Sequence, residues 1–203
     1  MKQSREDKIE NILKAAVVVL ADRGYESASI KEIASKAKVN WGLLHYYFKD
    51  KEDLVAKALK FSSKAMTRSS MEPFSTGKSP QEIADGAIEI LKKNWKENPS
   101  FYKFLFEMWC ASGRSKKIRA ELIKCINFIT ESLTIELERL HDDDRITVNS
   151  SVPYDAKSTA RLLLAISDGL AFQLIHDPQH LEDENLWQAF KDVTLSLLQK
   201  EIS

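Results

Sequence analysis

The chain has 203 residues, and its 30 lysine and arginine residues balance 30 aspartate and glutamate residues, so its formal net charge is zero. About 43% of the residues are apolar, which is typical of a globular protein with a sizeable core. A whole-chain charge of zero argues, at first sight, against a nucleic-acid-binding protein, since such domains usually carry a basic patch. The longest apolar run, Ala15–Ala21, has seven residues, whereas a membrane-spanning helix needs about 20. We therefore expect a cytoplasmic protein without a membrane partner, and the N-terminus shows no signal-peptide pattern.

Apolar residues recur at helical spacing along the chain, and glycine and proline are scarce, with six and five residues. This pattern predicts an all-α protein of about nine helices. The first helix is expected to end at Gly24, since glycine accepts the left-handed backbone conformation that often closes a helix. A second short helix follows Ser29, which forms a capping box with Glu32. Asn40 caps a third short helix, which runs to about Tyr47.

The fourth helix begins after Asp50 and continues to about residue 70. A segment rich in Pro, Ser, Thr and Gly, residues 72–80, predicts a loop, and a second loop is expected at residues 142–153. Cys110 and Cys125 lie within apolar helical patterns, so we expect two buried, reduced thiols. The remaining helices are predicted at about 79–97, 98–113, 115–141, 154–175 and 183–200.

Residues 29–47 form a helix, a tight break and a second helix, braced by the preceding helix, which is the arrangement of a helix-turn-helix motif. The stretches Gly24–Ala34 and Ala37–Leu54 resemble the DNA-binding domain of TetR-family transcriptional repressors. The most diagnostic part is Tyr46–Glu52, with the sequence YYFKDKE. This resemblance covers roughly a quarter of the chain and is carried by highly specific residues.

The resemblance implies two domains. Residues 1–50 would form a helix-turn-helix DNA-binding domain, and residues 51–203 a helical bundle for effector binding and dimerisation, with the helix at about 51–70 linking the two. More weakly, Phe104–Leu140 and Ala160–Pro178 resemble the C-terminal region of betaine-pathway repressors, which are choline-responsive. This weaker resemblance does not identify a ligand.

Residue chemistry supports the DNA-binding roles that the resemblance implies. Phosphate contacts, which set the position of a protein on DNA, are expected from side chains near helix N-termini and from hydroxyl donors: Ser29, Tyr46, Tyr47 and Lys51. Base contacts are expected from the third helix and one lysine of the second: Lys31, Asn40, Trp41, Gly42 and His45. The indole of Trp41 has one N–H donor and a large apolar face that could meet a thymine methyl group.

Several of these residues have alternative interpretations. Ser29 could be only a helix cap, Tyr47 could equally belong to the core, and Trp41 could serve a protein partner. Phe48 is expected in the core. The chain also departs from the family, since Lys38 stands where glycine is usual, at a position expected to be left-handed. Leu43 replaces a usual Thr or Ser, and Trp41 and His45 are uncommon at their positions.

The second half of the chain holds candidate effector and dimer residues. An aromatic-rich pocket with one carboxylate would favour a hydrophobic effector, and a cationic or aromatic one in particular. Its predicted residues are Phe104, Glu107, Met108, Phe128, Phe172, Gln173 and His176. The run at residues 160–174 is apolar around more of its circumference than one core contact requires, and the last predicted helix adds further apolar residues. The two helices are therefore the predicted dimer interface, through Leu162, Ala165, Ile166, Gly169, Leu170, Trp187, Phe190 and Leu197.

The resemblance, together with these patterns, implies a ligand-responsive transcriptional repressor. It would act as a homodimer on a near-palindromic DNA operator and be released by a small-molecule effector. A transcriptional activator or a DNA-organising protein with the same domain is the first alternative, and a helical protein-binding adaptor the second. The chain shows no metal-ligand spacing, phosphate-binding glycine loop or nucleophile motif, so we expect neither an enzyme nor a cofactor.

The zero net charge is a cancellation between two regions. Residues 1–51 hold 10 basic and 7 acidic residues, a net charge of +3, and residues 52–203 hold 20 basic and 23 acidic residues, a net charge of −3. Neutrality of the whole chain therefore does not exclude DNA binding. The small basic excess predicts modest non-specific affinity for DNA, so dimerisation and a well-matched operator would supply much of the binding.

Overall fold

The structure is a computed structural model that describes residues 4–146 and 155–198. These residues form ten α-helices and one 3-10 helix, with no β-strand in the part described, which confirms the predicted all-α class. The predicted loop at 142–153 and the predicted end of the last helix at residue 200 lie partly outside the described residues. The helices are α1 (Arg5–Ser27), α2 (Ile30–Lys36), α3 (Trp41–Tyr47), α4 (Lys51–Ser70), α5 (Glu72–Thr76), α6 (Pro80–Glu97), α7 (Pro99–Ser112), α8 (Lys116–Asp142), α9 (Ala156–His176), the 3-10 helix (Pro178–Glu182) and α10 (Glu184–Leu198).

Within the described ranges, the structure has one α-helix more than the nine predicted, and the additional helix is the short α5. It lies inside the segment that composition assigns to a loop. Pro73 stands in its first turn, a position that tolerates the missing N–H group, and Pro73 and Phe74 are both buried. Arg139 of α8 donates a hydrogen bond to the Phe74 carbonyl at 3.1 Å. Tertiary contacts therefore make a helical turn from a segment whose local composition disfavours one.

The chain divides into two compact units whose limits differ from the predicted domains. The first unit contains the residues up to Ala65 and Asn98–Cys125, and the second contains Met66–Glu97 and the residues from Ile126 onward. The helix-turn-helix region thus shares a unit with α7 and the first part of α8. The division at residue 51 remains a functional division that we propose, not a boundary between the units.

The core of the first unit is built from the apolar faces of six helices. α1 and α7 form its largest helix–helix contact, and α1 also packs on α2. The side chains buried here are apolar and recur at helical spacing, as the sequence pattern requires. They include Ile12, Leu20, Ile33, Leu44, Leu54, Leu59, Phe104, Met108 and Ile118, each at most 2% exposed.

The second unit has its own core and a row of ion pairs between α6 and α10. Its buried cluster comprises Phe74, Ile83, Leu133, Leu137, Leu140, Ile146, Ala160, Leu163 and Leu198. Lys191 of α10 lies 2.5 Å from Asp85 of α6, and Lys92 of α6 lies 3.4 Å from Glu184 of α10. Exposed pairs of this kind contribute about 0–1 kcal/mol each, so the apolar cluster carries most of the stability.

Among the described residues, one helix, α9, is long and apolar enough to span a membrane by length and composition alone. About a third of its most apolar window is buried within the chain. Core helices of globular proteins pass the same test, so this is weak evidence for a membrane.

Candidate nucleic-acid interface

The turn between α2 and α3 is closed by backbone hydrogen bonds around Lys38. Lys38 N–H donates to the Ser35 carbonyl at 3.1 Å and Val39 N–H to the Ala34 carbonyl at 3.0 Å. This pair of bonds is a Schellman motif, which requires a left-handed residue directly after the helix cap. Lys38 has a φ of +56°, so the left-handed conformation predicted at this non-glycine position is confirmed.

Helix α3 is held in place from its inner side. Leu44 is 2% exposed, and Phe48, directly after the helix, is 4% exposed, which confirms the expected core position of Phe48. Asn11 of α1 donates its side-chain amide to the carbonyl of Ala37 at 2.7 Å, next to the turn. The opposite side of α3 is consequently presented to solvent in a defined orientation.

The outer side of α3 carries three exposed rings. Trp41 is 52% exposed and Tyr46 is 72% exposed, and His45 is also exposed. The indole of Trp41 and the imidazole of His45 meet in a T-shaped contact with ring centroids 5.0 Å apart. Tyr47 is half-buried, and the Arg5 guanidinium lies 5.6 Å from its ring centroid. Tyr47 thus divides its surface between the protein and solvent.

Asn40 and Ser29 act as helix caps, as predicted. The Asn40 carbonyl oxygen Oδ1 accepts a hydrogen bond from Gly42 N–H at 2.9 Å. The Ser29 hydroxyl accepts from Glu32 N–H at 3.2 Å and donates to the Glu32 carboxylate at 2.8 Å. These bonds hold the pKa of the Glu32 carboxyl below its usual value. Ser29 therefore caps α2 and remains exposed, so a phosphate contact in addition stays a prediction.

The charge on this surface is positive. Residues 27–49 include four lysines and one glutamate, and that glutamate is already engaged by Ser29. Lys31, Lys36, Lys38 and Lys49 are all exposed. A surface of this kind attracts the phosphate backbone of DNA irrespective of sequence.

Lys51, the predicted phosphate ligand at the start of α4, makes contacts within the chain. Its ammonium nitrogen donates to the Tyr25 carbonyl and, at 3.3 Å, to the Glu26 carbonyl, and lies 4.8 Å from the centroid of the Tyr25 ring. Burial lowers the pKa of Lys51 from its usual value, although Glu26 and Glu32 oppose this effect. Lys51 joins the end of α1 to α4, and its phosphate role remains a prediction.

Gly24 interrupts α1 with a φ of +77° and a ψ of 164°, a region that only glycine adopts readily. The predicted helix end at Gly24 is thus confirmed as a break, after which one helical turn continues to Ser27. The carboxylate of Glu107, on α7, accepts a hydrogen bond from Tyr25 N–H at 2.6 Å. A Cβ atom at Gly24 would lie 3.4 Å from the same carboxylate. Glycine is therefore required here by the backbone conformation, since a Cβ atom would make only an ordinary contact with Glu107.

This geometry corrects the expectation for Glu107, which we predicted in an effector pocket. The structure uses its carboxylate to hold the backbone at the end of α1. Two further contacts involve the residues just before α8: Arg114 pairs with Glu26 of α1 at 3.2 Å, and the Ser115 hydroxyl donates to the Glu52 carboxylate of α4. Sequence reasoning missed these contacts because the partners are 63 to 88 residues apart.

The other predicted effector residues are divided between the two units. In the first unit, Phe104 and Met108 are fully buried. In the second, Phe128 and Phe172 are 42% and 49% exposed, and the Phe172 ring lies 5.0 Å from that of His176. The two exposed phenylalanines do not have the enclosed surroundings that were expected of pocket residues. An effector pocket built from this set therefore remains a prediction.

The predicted dimer residues fall into three groups: those that line a groove, those exposed on α9, and two, Trp187 and Leu197, that pack against their own chain. A groove of about 360 Å³ between α9 and α10 is lined by Ile166, Gly169, Leu170, Gln173, Leu186, Ala189, Phe190 and Val193. Four predicted dimer residues line this groove, as does Gln173, which we predicted in the effector pocket. Leu162 and Ala165 are exposed on α9. Trp187 is different, since it is 3% exposed and donates its indole N–H to the Leu181 carbonyl at 2.8 Å. Trp187 is therefore a core residue of its own chain, which corrects that prediction.

The two predicted thiols also differ from each other. Both cysteines are free, but Cys110 is exposed and only Cys125 is buried. Burial raises the pKa of the Cys125 thiol, while a hydrogen bond with Ser63 opposes this effect. The expectation of two buried thiols was wrong for Cys110, because its position on α7 faces away from the core of its unit.

Sequence reasoning missed Asp168 on α9. Its carboxylate is half-buried and has no hydrogen bond or ion pair among the described residues. Burial raises its pKa to about 6. The available signal was one acidic residue within a strongly apolar helix, since a carboxylate in such surroundings is costly unless it is paired.

Three further buried polar groups of the second unit were also missed. The amide nitrogen of Asn94 and the hydroxyls of Thr130 and Thr159 have no hydrogen-bond partner within the described ranges. Each residue is at most 3% exposed. Leaving such a group unpaired costs about 1–3 kcal/mol, so a ligand or water with complementary polar atoms would stabilise the unit.

Comparison with known proteins identifies the N-terminal region. Residues 12–58 match the family described as bacterial regulatory proteins, tetR family. A curated relative, the fatty acid metabolism regulator protein of Bacillus subtilis, is 42% identical over 60 residues, which are 30% of this chain and 30% of that protein. The chain thus spans about a third of the length of the curated relatives that it first matches.

Solved structures match most of the chain at low identity. A TetR-family transcriptional regulator from Rhodococcus sp. superposes with a TM-score of 0.80 at 18% identity, covering 96% of this chain and 100% of that one. A transcriptional regulator from Saccharomonospora viridis in complex with choline has a TM-score of 0.72 at 21% identity, covering 93% of this chain and 95% of that one. These likenesses show the fold of both regions. The family match over residues 12–58 assigns the helix-turn-helix region to the tetR family of bacterial regulatory proteins.

Proposed function

We propose that the protein is a ligand-responsive transcriptional repressor that binds a near-palindromic DNA operator as a homodimer. The observation that carries the proposal is α3, whose outer side exposes Trp41, His45 and Tyr46 while Leu44 anchors its inner side. Such a helix is the element that enters the major groove in helix-turn-helix proteins. The exposed lysines beside it supply the non-specific part of the affinity.

The groove between α9 and α10 supports the dimer. Its lining is apolar apart from Gln173, and a Cβ atom at Gly169 would meet nothing within 4 Å in the protomer. The chain itself therefore does not require a glycine there, whereas a second helix packed closely on α9 would. Two copies related by a two-fold axis would present two α3 helices to successive major grooves.

We further propose that a hydrophobic, cationic effector binds the second unit and releases the DNA. The unpaired carboxylate of Asp168 supports a cation, and the unpartnered amide of Asn94 and hydroxyl of Thr130 support a ligand with polar atoms. By linkage, effector and DNA would weaken each other's binding by the same factor. Choline and other quaternary ammonium compounds are the first probes, with long-chain acyl-CoA as the comparison class. A thermal-shift screen in which no hydrophobic cation raises the melting temperature would contradict the cationic class.

The DNA-binding proposal is tested by selecting bound fragments from a genomic pool and measuring their affinity over a range of salt concentrations. We expect one tight site and a linear fall of log affinity with log salt concentration. Lys51→Ala should weaken binding to all sequences and lower the salt slope by about 1 if Lys51 contacts a phosphate. Lys14→Ala, which removes an exposed lysine paired with Glu10 on α1, is the matched control. A protein that selects no sequence would contradict the proposed function.

An activator with the same DNA-binding domain is the second candidate. The exposed surface of α3 supports either function equally, because it concerns binding and not the consequence of binding. Measuring transcription from the selected site with and without the protein separates the two. Transcription that rises in the presence of the protein would favour the activator.

A further inference from the structure

Trp41 is the first residue of α3, and its side chain is 52% exposed. We infer that its indole reads the C5-methyl group of a thymine in the major groove and that His45 is a positioning residue for the indole. This inference rests on the proposed DNA-binding function and adds a specific chemistry to it. It concerns which base the helix recognises.

The chemistry of the indole limits what it can read. Indole offers a single N–H donor and no acceptor, so it cannot form the two-bond pairings by which arginine reads guanine or asparagine reads adenine. Most of the indole surface is apolar. The C5-methyl group of thymine is the one apolar group that the unmodified bases present in the major groove. An exposed indole at the base-facing end of the helix is therefore matched to a methyl group.

The position of Trp41 agrees with this role. In helix-turn-helix proteins, the N-terminal residues of the second helix contact the base edges, and Trp41 begins α3. Gly42 follows it and has no side chain, so a base edge can approach the backbone at this point. A Cβ built at Gly42 would lie 3.3 Å from Asn40 Oδ1, and no other side chain beyond its two chain neighbours lies within 4 Å of it. The surface beside the indole is therefore open apart from the Asn40 side chain.

His45 restricts the motion of the indole. The two rings lie one helical turn apart and meet in a T-shaped contact, with centroids 5.0 Å apart and planes at 87°. Both side chains are exposed, so burial in the core does not explain the contact. Fixing a flexible side chain before binding lowers the entropy that is lost on binding. His45 thus acts through Trp41, by holding the apolar ring in one orientation.

Tyr46 provides an internal comparison on the same helix. It is more exposed than Trp41, at 72%, and its ring packs against Tyr47 with centroids 5.1 Å apart. Its hydroxyl suits a phosphate oxygen, a contact that carries no sequence information. Replacing Tyr46 should therefore weaken binding without changing the preference for any base.

The test uses the full-length protein and an operator selected from a random DNA pool. Each thymine of the half-site is replaced in turn by deoxyuridine, which removes the methyl group and leaves the base-pairing edge intact. We expect at least one position at which the wild-type protein loses about four-fold in affinity per half-site, the value for removing one methyl-sized group from an apolar contact. Replacing that pair by 5-methylcytosine·guanine should give tighter binding than unmodified cytosine·guanine, since the methyl group is the shared feature.

The variants then assign this loss to named side chains. Trp41→Ala should bind the thymine and deoxyuridine operators equally, whereas Tyr46→Ala should keep the four-fold ratio at lower affinity. His45→Ala should reduce the ratio towards one, and His45→Phe, which restores an aromatic ring, should recover it. Unchanged melting temperatures would show that these exposed substitutions leave the fold intact.

Three results would overturn the inference. One is a wild-type protein that binds the deoxyuridine operator as tightly as the thymine operator at every position. Another is a Trp41→Ala protein that keeps the ratio, and the third is a selected half-site with no fixed thymine. All three still show sequence-specific DNA binding, so the proposed function would survive them. A protein that selects no DNA sequence would overturn both.

Discussion

The end of α1 and the groove between α9 and α10 are built from opposite kinds of contact. At the end of α1, Glu107 accepts a hydrogen bond from Tyr25 N–H at 2.6 Å, and Arg114 pairs with Glu26. The groove offers apolar side chains and one glutamine. The first region has its partners within the chain, whereas the second leaves an open apolar space of about 360 Å³ that no described residue fills. Directional polar contacts hold a backbone in one place, and an open apolar groove is typical of a surface that another molecule covers.

The same contrast holds for two carboxylates. Glu107 is bonded to a backbone N–H group, and Asp168 on α9 has no partner among the residues described. A carboxylate that accepts a hydrogen bond stabilises the backbone that it holds. A carboxylate that is buried without a partner has a raised pKa, and its charged form lowers the stability of the fold at neutral pH. The folded chain therefore carries a partly buried carboxylate, Asp168, with no described partner, in the region for which we propose binding. Three substitutions test this comparison, and a fourth tests the turn between α2 and α3.

The largest effect is expected for Val193→Glu, in the groove. Val193 is 44% exposed, so the protomer should fold normally. Covering the new carboxylate with a second copy would bury an unpaired charge, which costs about 3–5 kcal/mol and corresponds to at least a 100-fold weaker dimer. Sedimentation velocity over a concentration series measures the dissociation constant. Asn185→Glu, exposed on α10 outside the groove lining, is the control, and a Val193→Glu protein that dimerises normally would contradict the interface.

Asp168→Asn should raise the free energy of unfolding at pH 7. The pKa of this carboxyl is about 6 in the folded chain, against an ordinary value of 3.8, so the folded state binds more protons between about pH 4 and pH 6. Stability therefore falls as pH rises through that window and is constant above it. Two pKa units correspond to about 3 kcal/mol. Urea unfolding at several pH values should show a gain of about 2–3 kcal/mol at pH 7 and little gain at pH 4; an equal gain at both would contradict the assignment.

Gly24→Ala should lower the free energy of unfolding by about 1–3 kcal/mol, the cost of holding a non-glycine residue in this backbone region. The new methyl group would also contact the Glu107 carboxylate. Gly113→Ala is the matched control, because Gly113 has a φ of −62° that any residue adopts. Thermal or urea unfolding of both variants measures the difference. Equal stability of the two would contradict the positive-φ backbone conformation at Gly24.

The smallest effect is expected for Lys38→Gly. A non-glycine residue in the left-handed region costs about 1–2 kcal/mol, and part of this gain is lost because glycine makes the unfolded chain more flexible. We expect a net gain in stability of about 1 kcal/mol or less. Lys36→Gly, two residues earlier and within α2, should instead lose about 1 kcal/mol. Equal destabilisation by both substitutions would contradict a strained left-handed conformation at Lys38.

The helix-turn-helix region was predictable from the sequence because its signals are local. Ser29 and Glu32 form their capping box over three residues, and a single glycine, Gly24, is enough to break α1. The strain at Lys38 also followed from the sequence, since the family pattern places glycine there. These local signals do not show which residues far apart in the sequence contact each other. Nothing in the local sequence indicates that Glu107 reaches Tyr25 or that Lys51 joins the end of α1.

The sequence by itself determined the all-α class, most helix limits and the residues of the proposed DNA-reading helix, because helix periodicity, caps and turn residues act over a few positions. Tertiary structure alone decided which apolar residues are core and which are surface. Trp187 and Phe172 look alike in an apolar helical pattern, yet one is buried and the other exposed. The physical reason is that burial depends on what packs against a helix face, and periodicity shows the face without its partner.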